Sequence, residues 1–245
     1  MICGRTFAAV GQQDISAKNT YIGIMATIDS ETAKRYGTEA GASVVGIASS
    51  DGFGSAPEGY RPSDVLEGCR SVIVLGVPFP EEAFSDPCKY TEVRAELIER
   101  TNGLVKEVAK RIKKDGYKAK EITSIGGRYV DGFTRSPISL KHAAECAGLG
   151  VIGKNYLLIN PEYGTRLWFC AVITDAELVP DKRTEYDICD DCGVCVDSCP
   201  CGALNDITSF GKKGCAKHSF RYVNKKWMMD CFKCRSVCPH SFGIR

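Results

Sequence analysis

At 245 residues, with 44% hydrophobic and 25% charged side chains, the chain has room for one sizeable core and a small appended unit, and its composition excludes a disordered or fibrous polymer. Thirty-two Lys and Arg against 30 Asp and Glu leave a net charge of +2, so no overall field marks a nucleic-acid binder, and no run of roughly 18 apolar residues exists to cross a membrane. Fourteen cysteines, with no leader-like segment or twin-arginine pair near Met1, lead to the expectation of a cytoplasmic protein whose cysteines are metal ligands or free thiols.

Asp29 and Ser30 are suited to cap a helix through Ala33, Tyr36 and Ala40 to Gly41, and Val44 to Ala48 reads as a short buried strand. Ser49 to Pro62, rich in Gly and Pro, is expected to form a loop over a cavity. Ser71 to Val77 is a second strand. From Thr91 to Lys114, apolar residues at Val93, Leu97, Leu104, Val105, Val108 and Ile112 keep helical period, with Gly116 as the stop. A glycine-punctuated loop is expected around Tyr129 and Asp131, then a helix from Ile138 to Ala147. Leu157 to Ile159 and Leu167 to Thr174 are expected to pair across the turn at Asn160–Gly164. Strands and helices mix without strict alternation, which indicates an α+β layer structure.

Near Pro180 to Arg183 cysteines become dense and large aliphatics sparse, dividing the chain into units 1–180 and 181–245. Two basic stretches stand out. Lys106 to Lys120 reads as a solvated helix face, and Lys212 to Lys226 as either a solvated face or a docking face for an acidic electron donor.

Cys189, Cys192, Cys195 and Cys199-Pro200 follow the bacterial ferredoxin spacing C-x2-C-x2-C-x3-C-P, and Cys231, Cys234 and Cys238-Pro239 form a second group that Cys215 completes. Two [4Fe-4S] clusters are therefore expected, one on Cys189, Cys192, Cys195 and Cys238, the other on Cys199, Cys215, Cys231 and Cys234. A pair of structural zinc sites is the alternative, although C-x2-C-x2-C followed by C-P is not a zinc spacing, and Cys201 competes with Cys199. Cys3, Cys69, Cys88, Cys146 and Cys170 are isolated in sequence.

The runs Lys141-His-Ala-Ala-Glu-Cys-Ala-Gly-Leu-Gly150, Gly153-Lys-Asn-Tyr-Leu-Leu-Ile159 and Pro161-Glu-Tyr-Gly164, the two cysteine groups, and the earlier Gly41–Ala48 and Cys69–Gly76 segments resemble the epoxyqueuosine reductase and reductive dehalogenase superfamily. The resemblance runs from about residue 34 to the end. It implies a nitroreductase-like α+β domain that holds a corrinoid (cobalamin), followed by a bacterial-ferredoxin-like two-cluster module that reduces the cobalt. It also implies a proton donor at Asp131, with Tyr129 beside it, and a cofactor or cluster lining at Gly150, Gly153, Lys154 and Asn155. The leading expectation is a corrinoid-dependent reductase. The rival is an electron-transfer protein that activates a separate corrinoid protein, and a flavin (FMN) in the same fold is a third reading.

A ferredoxin or flavodoxin donor, a small-molecule substrate and a homodimer partner are expected. Pro137 lies six residues after Asp131, the Asp-Tyr-His signature of the queuosine branch is missing, and its C-terminal helical repeats do not follow Arg245; tRNA is accordingly not expected as a partner.

Overall fold

The computed structural model describes residues 27–130, 133–189, 191–205 and 211–244. Cys3 and Asp131 lie outside them. Helix α1 (Ser30–Glu39) starts where Asp29 accepts the Thr32 amide. Strand β1 (Val44–Ser49) follows, then a short 3-10 turn, helix α2 (Pro62–Val65) and strand β2 (Ser71–Pro78). The long helix α3 (Pro87–Lys114) begins four residues before the apolar period does, because Asp86 caps the Lys89 amide at 3.0 Å and Pro87 occupies the first turn. Its buried stripe includes Val93, Leu97, Leu104, Val105, Val108 and Ile112, and Gly116 closes it at φ 92°. Lys106, Lys110, Lys113 and Lys114 stay exposed, as a solvated face requires.

Strand β3 (Ala119–Ile122) comes next. The glycine-rich segment expected as a loop is instead a hairpin, β4 (Arg128–Val130) against β5 (Phe133–Arg135). Helix α4 (Leu140–Cys146) and strands β6 (Val151–Ile152), β7 (Leu158–Ile159) and β8 (Leu167–Thr174) complete the larger unit. The expected pairing of β7 with β8 does not form: β7 pairs with β6, and β8 lies between β2 and β3. Every residue of β8 but Trp168 is buried, so only a central position satisfies it.

The main sheet is antiparallel, in the order β1-β2-β8-β3. Period-2 alternation sends Ile73, Leu75, Val77, Cys170 and Val172 to the face covered by α1 and α3, and Val72, Val74, Ala171 and Ile173 to the face covered by α4. Helix α4 rides close on β1: a Cβ at Gly46 would lie 2.4 Å from the Ala147 carbonyl.

The later segment holds helices α5 (Val194–Asp197) and α6 (Lys212–Ser219), the hairpin β9 (Phe220–Val223) and β10 (Lys226–Met229), and helix α7 (Lys233–Ser236). It is not a bead on a string. Asp181 accepts the Ile47 amide at 2.9 Å and pairs with Lys34 at 2.6 Å, while Phe232 stacks on Tyr90, with ring centroids 4.5 Å apart. No helix among the described residues is long and apolar enough to cross a membrane.

Candidate functional site

Short helical turns bring the cysteines together. Helix α5 carries Cys195, and α7 carries Cys234 with Cys238 two residues beyond its end. Cys189, Cys192, Cys195 and Cys238 line one small void with Ile159, Ile188, Pro239 and Asn155. Cys195 is buried and within electrostatic reach of the other three. Four thiols around an apolar-walled void are the donor set that a cubane cluster takes. On the other side, Cys234 lies in reach of Cys215 and Cys231, and burial pushes its thiol up to about 11. Cys199 is 3.9 Å from Cys201, which in turn feels Cys215. Among the described residues, no three His, Cys, Asp or Glu side chains close on a single ion.

Gly153 and Asn155 stand between these sets and the sheet. A Cβ at Gly153 would come within 3.2 Å of the Cys189 sulfur. Asn155 is 3% exposed; its side chain accepts the Leu157 amide at 3.1 Å and donates to the Cys234 carbonyl at 3.2 Å. Gly150 serves the backbone instead: at φ 153°, any Cβ would meet the Ile159 carbonyl at 2.2 Å, so glycine is what lets β6 approach β7. Lys154 is half-buried in the turn that joins them. Tyr129 sits on β4 opposite Thr134 and is 77% exposed.

Two cavities border the start of α4. One, of about 270 Å³, is lined by Leu140, Lys141, Leu157, Thr165, Trp168 and Arg235, among others. The second, of about 520 Å³, lies under the Gly52–Tyr60 loop, as that loop's composition led us to expect, and includes Arg135, His142, Cys146, Arg183 and Lys212. Desolvation, aided by the Arg235 guanidinium, lowers Lys141 to about 8. Burial likewise lowers His142. Lys141 donates to the Tyr156 carbonyl and Arg235 to that of Thr165. The hydroxyl of Thr165, 1% exposed, and the Trp168 indole N–H find no hydrogen-bond partner among the described residues. Buried, unpaired polar groups on a cavity wall fit a ligand rich in amide or phosphate acceptors, as a corrinoid is.

Lys141 was not legible as a site residue, because what distinguishes it is its place beside Arg235 and Cys234, a contact made across the fold; Arg235 follows Cys234 in the chain, but its bond to the Thr165 carbonyl is equally long-range.

No family model matches the chain. The epoxyqueuosine reductase of Lactococcus garvieae is 29% identical over 204 residues, covering 76% of this chain and 56% of that protein. Among solved structures, epoxyqueuosine reductase from Streptococcus thermophilus matches with a TM-score of 0.61 and 24% identity over 86% of this chain and 66% of that one. A catabolic reductive dehalogenase matches with a TM-score of 0.67 and 20% identity over 91% of this chain and 34% of that one. The similarity to both branches that the motifs indicated is therefore borne out, and the chain spans a little over half the length of the curated relative.

One expectation is corrected. An epoxyqueuosine reductase of the same fold, with a TM-score of 0.61, has been solved with an epoxyqueuosine-modified tRNA stem loop, which overturns the exclusion of tRNA and the small-molecule substrate. That exclusion rested partly on where the sequence ends and on a whole-chain charge near zero, and neither describes the local surface that meets a nucleic acid.

Proposed function

We propose that the chain is the reductase core of a corrinoid and iron-sulfur enzyme, with a nitroreductase-like unit over 1–180 and a two-cluster, ferredoxin-like unit over 181–245. The observation that carries this reading is the gathering of Cys189, Cys192, Cys195 and Cys238 around one void, with Cys215, Cys231 and Cys234 converging beside them.

When bound, the corrinoid supplies a strongly reducing cobalt centre, and the clusters supply one-electron relay to it. The chain does the rest. Cys189, Cys192, Cys195 and Cys238 hold one cluster, and Cys199, Cys215, Cys231 and Cys234 the other. Asn155 fixes the spacing between them through the Cys234 carbonyl. Half-buried Lys141 and buried Arg235, beside the second set, offset the negative charge of thiolate ligation. Thr165 and Trp168 offer donors to the periphery of the corrinoid. Asp131 is the proton donor we assign from the family resemblance, with exposed Tyr129 of β4 close to it in sequence. By likeness to the relatives, the substrate is a modified base carried on RNA.

The experiment is anaerobic reconstitution with iron and sulfide, followed by titration with a corrinoid while the cobalt(II) EPR signal is recorded. About eight irons per chain and stoichiometric corrinoid binding are expected. Eight irons with no corrinoid bound would overturn the reductase in favour of an electron carrier.

A further inference from the structure

Between Cys215 and Cys231 the chain makes an excursion that the cluster ligands do not require, the β9–β10 hairpin. Residues 211–233 carry seven Lys and Arg against a single carboxylate, Asp230, in a chain whose net charge is only +2. Asp230 is already engaged by Arg221 at 2.5 Å. Tyr222 and Trp227 are partners across the ladder, with ring centroids 5.1 Å apart, and they stay 59% and 65% exposed. The tip is a tight turn in which Asn224 and Lys225 both take positive φ, 49° and 61°, the geometry that matches strand twist and presents the ring pair on a defined frame.

The hairpin is fastened beside the smaller cavity. The Met229 amide donates to Thr91 of α3 at 2.9 Å. The Arg94 guanidinium lies 5.7 Å from the Phe220 ring and 5.4 Å from the ring of Trp168, which lines that cavity.

We propose that this hairpin is an RNA-docking surface: Tyr222 and Trp227 stack an unpaired loop base, and Lys213, Lys217, Lys225 and Lys226 take the flanking phosphates. The inference rests on the reductase reading, since it names where that site's RNA lands. Protruding rings among lysines give any unpaired base a π-face and its phosphates a cation, whereas the aromatic anchors of protein–protein contacts fill desolvated pockets. An acidic protein donor is thus the less suited occupant.

The test is fluorescence anisotropy on the cluster-reconstituted full chain, with a labelled RNA stem-loop and with the same stem as a blunt duplex. Wild type is expected to prefer the stem-loop. Tyr222→Ala with Trp227→Ala should weaken stem-loop binding by about tenfold or more. Lys225→Glu with Lys226→Glu should weaken both RNAs and flatten the salt dependence. Iron content certifies that each variant has folded. Unchanged affinity in both variants, no RNA binding by wild type, or slowed reduction by flavodoxin with RNA binding intact would overturn the proposal. Corrinoid titration of the same samples separates the two readings: corrinoid bound without RNA overturns the docking surface alone, and RNA bound without corrinoid overturns the reductase alone.

Discussion

Asn155 donates its side-chain amide to the main-chain carbonyl of Cys234 at 3.2 Å, across 79 positions of sequence, and the same side chain lines the void surrounded by Cys189, Cys192, Cys195 and Cys238. One neutral, buried residue therefore borders both cysteine sets.

Asn155→Ala should leave the Cys234 carbonyl and the Leu157 amide without their partner, costing about 1–3 kcal/mol. Thermal unfolding measures the loss. EPR of the reduced protein should show a changed spin–spin interaction between the clusters at full iron content. An unaltered spectrum would mean that the bridge does not set their spacing.

Cys199 and Cys201 sit 3.9 Å apart and Cys201 is in electrostatic reach of Cys215, so either thiol is a candidate fourth ligand of the second cluster that we propose. The C-P order selects Cys199. Cys201→Ser should keep about eight irons per chain, and Cys199→Ser should fall towards about four. The reverse pattern would exchange their roles.

What the sequence showed and what it hid divide by the range of the interaction. The cysteine groups were legible because their spacing lies within a dozen residues. Helix α3 was legible from its apolar period, although its start at Asp86–Pro87 is set by a cap that hydropathy does not register. Long-range partners were not legible. β8 carries no local sign that it pairs with β2, nearly a hundred residues earlier, rather than with β7. Asn155 was expected from the family resemblance to line the cofactor or cluster, but only the fold brings the Cys234 carbonyl to it. The net charge of +2 does not register the basic run from Lys212 to Lys226, which its local sequence does show; what that run could not show is that Tyr222 and Trp227 meet across a hairpin ladder within it.

Cys170 lies in the centre of β8, and burial alone pushes its thiol up to about 12, above the ordinary value of 9.0. Between those pH values the unfolded chain releases a proton that the folded chain keeps. The neutral thiol's contribution is thus intact below pH 9 and lost as pH rises towards 12, at about 1.4 kcal/mol per pH unit. Urea unfolding from pH 8 upwards should show wild type losing stability faster than Cys170→Ala above pH 9. Parallel curves would mean that the thiol ionises without unfolding.

Gly46 and Gly103 make a matched pair with opposite expected signs. At Gly46 an added Cβ would lie 2.4 Å from a main-chain carbonyl, that of Ala147, which cannot rotate away as a side chain would. Helix α4 must then shift, carrying Lys141 and the walls of both cavities with it. Gly46→Ala should lower stability by about 1–3 kcal/mol, or roughly 2–12 °C in Tm for a domain of this size. Gly103 lies inside α3, and its Cβ would meet nothing within 4 Å. There, alanine removes only the conformational freedom of the unfolded chain and the poor helix propensity of glycine, so Gly103→Ala should stabilise by about 0.5–1 kcal/mol. Calorimetry of the two variants decides whether close contact between α4 and β1 holds the site in place: a tolerated Gly46→Ala, with Tm unchanged and Gly103→Ala raised, would show that α4 can give way without cost.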